Sequence, residues 1–262
     1  MQPEQPLQEI ASQIAECKNC QLSFSRKKAV PGEGPASAEI MFIGEGPGFY
    51  ENEQGRPFVG AAGKFLDELL ERAGLQRETV FITNVVKCRP PGNRDPMPEE
   101  LSACNIHLKR QIAAINPLII VTLGRWSMSR FLKNVRISEA HGRPVWVRGK
   151  MIVPMYHPAA ALHQPSLKTS VERDFARLPE WIEQARQKAA ASAAAESAAA
   201  AEPAHAELSS AEPAPARMQV SQLFQASLLM PDPGIEEELT QIEQEDEDLQ
   251  TDSNTPTQLS LF

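Results

Sequence analysis

Residues 40–63 read Ile-Met-Phe-Ile-Gly-Glu-Gly-Pro-Gly-Phe-Tyr-Glu-Asn-Glu-Gln-Gly-Arg-Pro-Phe-Val-Gly-Ala-Ala-Gly. The apolar run from Ile40 to Ile43 has the length and flanks of a buried strand. At Gly44 it breaks into a glycine-rich loop, where missing side chains let the backbone approach a ligand closely. An amphipathic helix follows, with apolar residues at helical spacing from Phe65 to Leu70. Strand, glycine loop and helix in this order are how open α/β sheets place a ligand at the carboxyl ends of their strands.

The same alternation continues along the chain. Apolar runs predict further strands at 80–83, 118–122, 145–147 and 151–155. Helical spacing predicts helices at 7–16, 98–115, 124–131 and 170–188. The pattern indicates an α/β fold, a three-layer α/β/α sandwich with a mostly parallel central sheet. Parallel strands end at one edge of the sheet, so we expect Gly44, Asn84 and His157 to meet there.

Charge divides the chain into two parts. Residues 1–188 contain 25 Lys and Arg and 20 Asp and Glu, whereas residues 189–262 contain only Arg217 against 14 acidic residues. The first part is mildly basic, which suits a polyanionic partner. The second combines alanine-rich, Glu-Pro-Ala and acidic segments with few aromatic residues to bury. We predict a folded domain at 1–188 and a disordered linker at 189–257, with a marginal helix through the alanines as an alternative.

Neither a membrane span nor an export signal is evident. No apolar stretch approaches the ~20 residues that a membrane span requires. The N-terminus has neither the basic region nor the apolar core of a secretory signal. We therefore expect a cytoplasmic protein, a compartment in which disulfides are disfavoured.

The cysteines consequently need another explanation. There are four: Cys17, Cys20, Cys88 and Cys104. One Cys-x-x-Cys pair and two distant cysteines supply four thiolates, as a structural zinc or an iron–sulfur cluster requires. Spacing alone leaves zinc, a cluster and core thiols open.

The glycine loop lacks both common nucleotide-binding fingerprints, Gly-x-Gly-x-x-Gly and Gly-x-x-x-x-Gly-Lys-Ser/Thr. The loop instead carries Gly-Glu-Gly-Pro-Gly at 44–48, Glu51, and Gly-x-Pro-Phe-Val-Gly-x-Ala-Gly at 55–63. Tyr-His-Pro-Ala-Ala follows the last predicted strand at 156–160, over 90 residues later. These segments resemble the two signatures of the iron–sulfur (family 4) uracil-DNA glycosylases, and the resemblance covers residues 10 to about 185.

The resemblance implies a DNA-repair enzyme that flips uracil out of DNA and hydrolyses its N-glycosidic bond, leaving an abasic site. It also implies a [4Fe–4S] cluster on the four cysteines. Together with the softness of thiolate ligands, this favours a cluster over zinc. We expect the cluster to be structural, the substrate to be uracil-containing DNA and the protein to be a monomer associated with the nucleoid.

Two catalytic residues follow from the resemblance. His157 would donate a hydrogen bond to O2 of the departing base, although a histidine beside a proline is often structural. Glu45 is the better candidate for orienting the attacking water or stabilising the sugar cation, with Glu51 as the alternative.

The predicted uracil-binding residues are Gly46, Glu51, Phe58 and Asn84. Glu51 would lie near C5 of the base and exclude thymine. Phe58 would stack on the base, unless it is an ordinary core residue. Asn84 would present a donor and an acceptor to the uracil edge, unless it caps a helix or forms a turn.

The sequence departs from the family at two positions. Asn52 stands where many relatives have aspartate, and His163 stands where they have arginine in the loop that wedges into DNA. The loop after Asn84 has no insertion and no histidine, which excludes the branch of the superfamily that binds uracil-DNA covalently.

The last five residues, 258–262, read Gln-Leu-Ser-Leu-Phe. They resemble the pentapeptide with which bacterial polymerases and repair proteins dock on the replication sliding clamp. The resemblance assigns clamp contacts to four side chains: Gln258, Leu259, Leu261 and Phe262. The alternative is a chance occurrence of apolar residues in a polar tail.

Two other functions compete with a glycosylase. One is a non-catalytic module of the same fold that binds deaminated bases, against which Glu45, Asn84 and His157 argue. The other is a zinc-stabilised nucleotide hydrolase, for which no cluster of metal-binding carboxylates is evident.

Overall fold

The computed structural model describes residues 4–201. The strands are β1 (Ile40–Gly44), β2 (Phe81–Asn84), β3 (Ile119–Leu123), β4 (Val145–Val147) and β5 (Lys150–Met155). The helices are α1 (Glu4–Glu16), α2 (Leu22–Ser25), α3 (Phe49–Gln54), α4 (Ala61–Arg72), α5 (Pro98–Ile115), α6 (Arg125–Met128), α7 (Ile137–Ala140), α8 (Pro158–His163), α9 (Lys168–Ala176) and α10 (Leu178–Ala201). The rest of the predicted linker at 189–257 and the pentapeptide at 258–262 lie outside the described residues.

The strands form one sheet in the order β2-β1-β3-β5-β4. The first four run parallel, and β4 pairs antiparallel with β5 at the edge. In register, Gly44 at the end of β1 lies opposite Asn84 at the end of β2. The carboxyl ends of β1 and β2 are therefore level, as the sequence predicts.

Helices cover both faces of the sheet. Alternate residues of β1 face opposite ways: Phe42 packs in one buried cluster and Met41 in the other. The first cluster includes apolar residues of α4, α8, α9 and α10, and the second includes residues of α2 and α5. The predicted three-layer α/β/α architecture is confirmed.

Two of the predicted helices differ from the structure by more than a few residues. The helix predicted at 170–188 is two helices, α9 and α10, because Pro179 cannot continue a helix but suits a first turn. Helix α10 runs past Lys188 to Ala201, so the predicted domain boundary falls inside a helix; alanine has the highest helix propensity. The helix predicted at 124–131 ends at Met128.

Within residues 4–201, no helix is both long enough and apolar enough to span a membrane.

Candidate active site

Two of the predicted site residues, Phe58 and Asn84, meet beside Gly44 at the end of β1. A Cβ atom added to Gly44 would overlap the Asn84 side-chain oxygen and lie 2.6 Å from Phe58 Cζ. Asn84 ends the neighbouring strand, and Phe58 comes from the loop before α4. Only glycine fits at this point, because any side chain would fill the space between the amide and the ring.

His157 joins this group from the end of β5. Its imidazole stacks on Phe58, with ring centroids 5.4 Å apart and an interplanar angle of 23°. The backbone N–H of Ala159 donates to His157 Nδ1 at 3.1 Å, so the histidine also caps α8. Gly124, at φ +91°, brings the end of β3 against the histidine, and an added Cβ would lie 3.3 Å from His157 Cβ.

The imidazole of His157 is held neutral. Burial lowers its pKa from 6.5 to about 4, and the nearby Glu51 carboxylate opposes this only in part. Since Nδ1 accepts the Ala159 N–H, the proton of the neutral ring must be on Nε2. His157 therefore offers an N–H donor at neutral pH while also serving as a helix cap.

Asn84 has an unsatisfied polar atom in the interior. The residue is 1% exposed, and its Oδ1 has no hydrogen-bond partner within residues 4–201. An unpaired buried acceptor costs ~1–3 kcal/mol. Asn84 ends β2 and caps none of the helices within residues 4–201. An acceptor in this position is suited to a donor on a ligand.

Phe58 belongs to the core and the site at once. It is 6% exposed and packs in the cluster on the α4 face of the sheet. Its backbone adopts φ +51°, which is uncommon for a residue with a side chain. Such strain persists only where the surroundings enforce it, and here it aims the ring at Gly44 and His157.

Glu51 holds the loop between α3 and α4. Its Oε1 accepts the backbone N–H groups of Val59 and Gly60, each at 2.9 Å. Gly60 is the N-cap of α4, so the carboxylate occupies the favourable N-terminal end of that helix. It lies near enough to His157 to influence its pKa.

Glu45 follows Gly44 in the glycine loop and is half-buried. Burial and, secondarily, Asp95 raise the pKa of its carboxyl, while Arg125 lowers it. Arg125 is itself ion-paired with Asp95. Within residues 4–201 the Glu45 side chain accepts no hydrogen bond from the protein, so its oxygens are available to a ligand.

Gly46 is half-buried in the same loop. The loop is tied to the continuation of β2, because Val85 N–H donates to Gly44 O at 3.0 Å and Val86 N–H donates to Glu45 O at 3.1 Å. These bonds fix the loop carrying Glu45 and Gly46 relative to the strand carrying Asn84.

Lys87 is a supporting residue that the sequence analysis missed. It is 1% exposed, and its ammonium donates to Thr83 Oγ1 at 2.7 Å, Asn84 O at 2.7 Å and Gln111 Oε1 at 2.6 Å. Burial lowers its pKa to about 8. Through its bond to the Asn84 carbonyl, the amine fixes the backbone at the end of β2. The sequence did carry a sign of this role, because Lys87 is a charged residue within the otherwise apolar segment Val85–Cys88.

The cysteines meet in one place. A pocket between α1, α2 and α5 is lined by all four of them: Cys17, Cys20, Cys88 and Cys104. All four are free thiols. The Arg26 guanidinium donates to Cys88 Sγ at 3.0 Å, and the Lys87 N–H donates to Cys104 Sγ at 3.3 Å.

The two buried thiols, those of Cys88 and Cys104, are protonated in this arrangement. Burial raises the pKa of Cys88, and it raises that of Cys104 to about 11. In the part of the chain that the structure describes, no three His, Cys, Asp or Glu side chains form a group that could hold one metal ion. The four sulfurs thus share a pocket without closing on a single centre.

The two departures from the family pattern lie at different depths. Asn52 is buried in α3, where its Oδ1 accepts the Lys27 N–H at 2.9 Å. It ties the segment after the first cysteines to α3, a role in which an amide suffices. His163 is exposed at the end of α8.

Comparison with known proteins identifies the family of this chain. Residues 31–178 match the model of the uracil DNA glycosylase superfamily. This match spans more than half of the chain, so the chain belongs to that superfamily.

Its relatives include several proteins named type-4 uracil-DNA glycosylase. That of Saccharolobus solfataricus is 50% identical over 184 residues, covering 65% of this chain and 84% of the relative. That of Sulfurisphaera tokodaii is 48% identical, covering 66% and 84%. That of Thermotoga maritima is 44% identical over 190 residues, covering 70% and 99%.

Proposed function

We propose that this protein is a uracil-DNA glycosylase of the type-4 kind, which removes uracil from DNA as the first step of base excision repair. The observation that carries the proposal is the unpartnered Asn84 Oδ1, buried beside Phe58 and His157 at the end of β1. This constellation offers an acceptor, an aromatic ring and an N–H donor to a flat polar base. Superfamily membership and the names of its relatives support the same assignment.

The reaction breaks the bond between C1′ of deoxyribose and N1 of uracil. The bonding electrons leave with the base, and negative charge spreads to O2. The Nε2–H of His157 donates to that oxygen, a bond that strengthens as the charge develops. Water adds to C1′ and loses a proton, the uracil anion later takes up a proton, and the products are uracil and an abasic site.

Glu45, rather than Glu51, directs the water in this proposal. Both oxygens of Glu45 are available, whereas Glu51 Oε1 already accepts two backbone N–H groups. The raised pKa of Glu45 also suits a residue that accepts a proton. Glu51 then holds the loop of Phe58 and restricts the space near C5 of the base, excluding thymine.

A single oligonucleotide assay separates the three candidate functions. A glycosylase converts DNA with one uracil into DNA with one abasic site and free uracil. A binding module retains the DNA without cutting the glycosidic bond. A nucleotide hydrolase leaves the oligonucleotide intact and hydrolyses free nucleotides. Absence of free uracil after prolonged incubation would eliminate the proposed activity.

Gly44→Ala tests whether the space at the end of β1 is the uracil site. The new methyl group would overlap Asn84 Oδ1 and press on Phe58, so we expect kcat/KM for uracil excision to fall about 10²-fold or more. Gly60→Ala is the matched control, since its nearest neighbouring atom would lie 3.5 Å away, at ordinary contact distance. Equal activity of the two variants would contradict the location.

A [4Fe–4S] cluster on the four cysteines is the second part of the proposal. The donor set fits, because four thiols line one pocket and four thiolates are the ligand count of such a cluster. The softness of thiolate ligands and the type-4 names of the relatives favour a cluster over tetrahedral zinc. When bound, the cluster would hold the cysteines as thiolates. It would also join the segment between α1 and α2 to the loop after β2.

Cys88→Ser tests the cluster. We expect the wild-type protein to be brown and to contain iron and acid-labile sulfide. The variant should lose the visible absorbance, because a serine hydroxyl is a poor ligand for iron. It should also be less soluble, since the segment before β1 would no longer be fixed. Colourless, fully active wild-type protein with stoichiometric zinc would contradict the assignment.

The third part of the proposal is that residues 258–262 form a docking peptide for the replication sliding clamp. Leu261 and Phe262 would fill an apolar pocket while Gln258 hydrogen-bonds at its edge, and Leu259 would pack beside them. A peptide this short should bind with a Kd on the order of micromolar. The preceding residues act as a tether that holds the glycosylase domain close to newly copied DNA. The proposal includes a monomeric enzyme that works in the cytoplasm, at the nucleoid.

Truncation at Thr257 tests the tether. Calorimetry against the host clamp should detect binding by the full chain and none by the truncated chain, while both excise uracil from oligonucleotides at the same rate. Leu261→Ala with Phe262→Ala is a second variant that keeps the chain length. Equal clamp binding by full and truncated chains, or none by either, would eliminate this contact and leave the glycosylase assignment intact.

A further inference from the structure

Two large aromatic side chains are exposed at the start of α3. Phe49 is 52% exposed and Tyr50 is 57% exposed. Their rings meet edge to face, with centroids 5.4 Å apart and an interplanar angle of 85°. Neither ring packs in the core clusters, so their stacking surfaces do little for the stability of the fold.

The pair lies beside the proposed uracil site. Helix α3 begins directly after the glycine loop at 44–48. A Cβ added to Gly60 would lie 3.5 Å from Tyr50 Cδ2, and Gly60 N–H is bonded to Glu51. The exposed rings therefore stand next to the loop that positions Phe58.

A cation completes the patch. Arg89, from the loop after β2, places its guanidinium 5.3 Å from the centre of the Phe49 ring. Its Nε donates to Asn93 Oδ1 at 2.8 Å, and within residues 4–201 it has no carboxylate partner. Within residues 4–201 no carboxylate neutralises this positive charge, which lies over an exposed aromatic ring.

The partner that this patch suits is an unpaired nucleotide. The patch offers two aromatic rings, a planar guanidinium group and a positive charge. Bases stack on aromatic and guanidinium planes, and phosphates attract the cation. Duplex DNA does not offer this contact, because its base faces are already stacked on one another. Ring faces are therefore useful only where neighbouring bases are unstacked.

We propose that Phe49, Tyr50 and Arg89 form a stacking platform for an unpaired base next to the uracil, and that the platform gives this enzyme a preference for single-stranded DNA. That the stacked base lies next to the uracil rests on the proposed glycosylase function. That the platform stacks on an unpaired base does not. Binding to uracil-free DNA therefore distinguishes failure of the platform from failure of the function.

The test measures Kd by fluorescence anisotropy for a uracil-free single strand and for the matching duplex, with full-length protein. Tyr50→Ala and Phe49→Ala should each weaken binding to the single strand about tenfold, because stacking of one base is worth ~1–3 kcal/mol. Duplex affinity should change less than twofold. Phe24→Ala is the control, since Phe24 is an exposed ring on α2, 76% exposed, and should change neither affinity.

A second pair of variants checks that the ring, not its bulk, is what binds. Tyr50→Phe should keep the affinity for the single strand, and Tyr50→Leu should lose it as Tyr50→Ala does. Equal losses on single strand and duplex would overturn the proposal in favour of a general surface contact. No loss in either alanine variant would overturn it as well.

Discussion

His157→Ala should lower the single-turnover rate of uracil excision by ~10²–10³ while leaving the affinity for uracil-containing DNA nearly unchanged. The Nε2–H donor is set by the Ala159 N–H bond to Nδ1, and it acts on charge that appears only as the base departs. The ground-state complex gains little from it. A single-turnover time course together with a binding measurement separates the two effects.

His157→Ser is the matched variant for this prediction. Serine is a good helix N-cap, so it keeps the start of α8 in place, but it removes the imidazole donor. It should be as slow as His157→Ala and more stable. A serine variant with a rate near wild type would show that the histidine acts only as a cap.

The same histidine should give the fold a characteristic pH dependence. Its pKa is about 4 in the folded protein against 6.5 ordinarily, so the unfolded chain binds a proton between these values that the folded chain does not. Stability is therefore fully present above pH 6.5 and is lost as pH falls towards 4. The loss is at most about 3 kcal/mol. Urea unfolding at pH 7.5 and pH 4.5 should show a larger decrease for wild type than for His157→Ser.

The edge of the sheet was predictable because strands are set by local apolar runs. The runs at 40–43 and 151–155 coincide closely with β1 and β5, and they place Gly44 and His157 at strand ends. Parallel strands then bring these ends together whatever the intervening chain does. The prediction therefore needed only the period of the pattern and the direction of the strands.

What the sequence could not supply depends on contacts between distant segments. The strained backbone of Phe58 is enforced by its surroundings in the fold rather than by neighbours in the chain. The buried amine of Lys87, which donates to the Asn84 carbonyl, also needs an acceptor from Gln111, far along the chain. The proposal that Glu45, rather than Glu51, directs the water likewise rests on the hydrogen bonds of Glu51 to the loop at 59–60.

Asn84→Leu should change stability and activity in opposite directions. Leucine has nearly the shape of asparagine without polar atoms, so it removes the unpartnered Oδ1 from the interior. The free energy of unfolding should rise by about 1 kcal/mol. Uracil in the site would lose its partners at N3–H and O4, each worth ~1–3 kcal/mol, so kcat/KM should fall ~10²–10⁴-fold.

Thr122→Val provides the control for this last prediction. Thr122 Oγ1, on β3, is also buried without a partner within residues 4–201, and valine is its apolar counterpart. This variant should gain stability like Asn84→Leu but keep its rate of uracil excision. If only Asn84→Leu loses activity, the unpartnered Asn84 oxygen lowers the stability of the fold but is needed to bind uracil. If Asn84→Leu instead kept its activity within tenfold of wild type, the amide would have no part in recognising uracil.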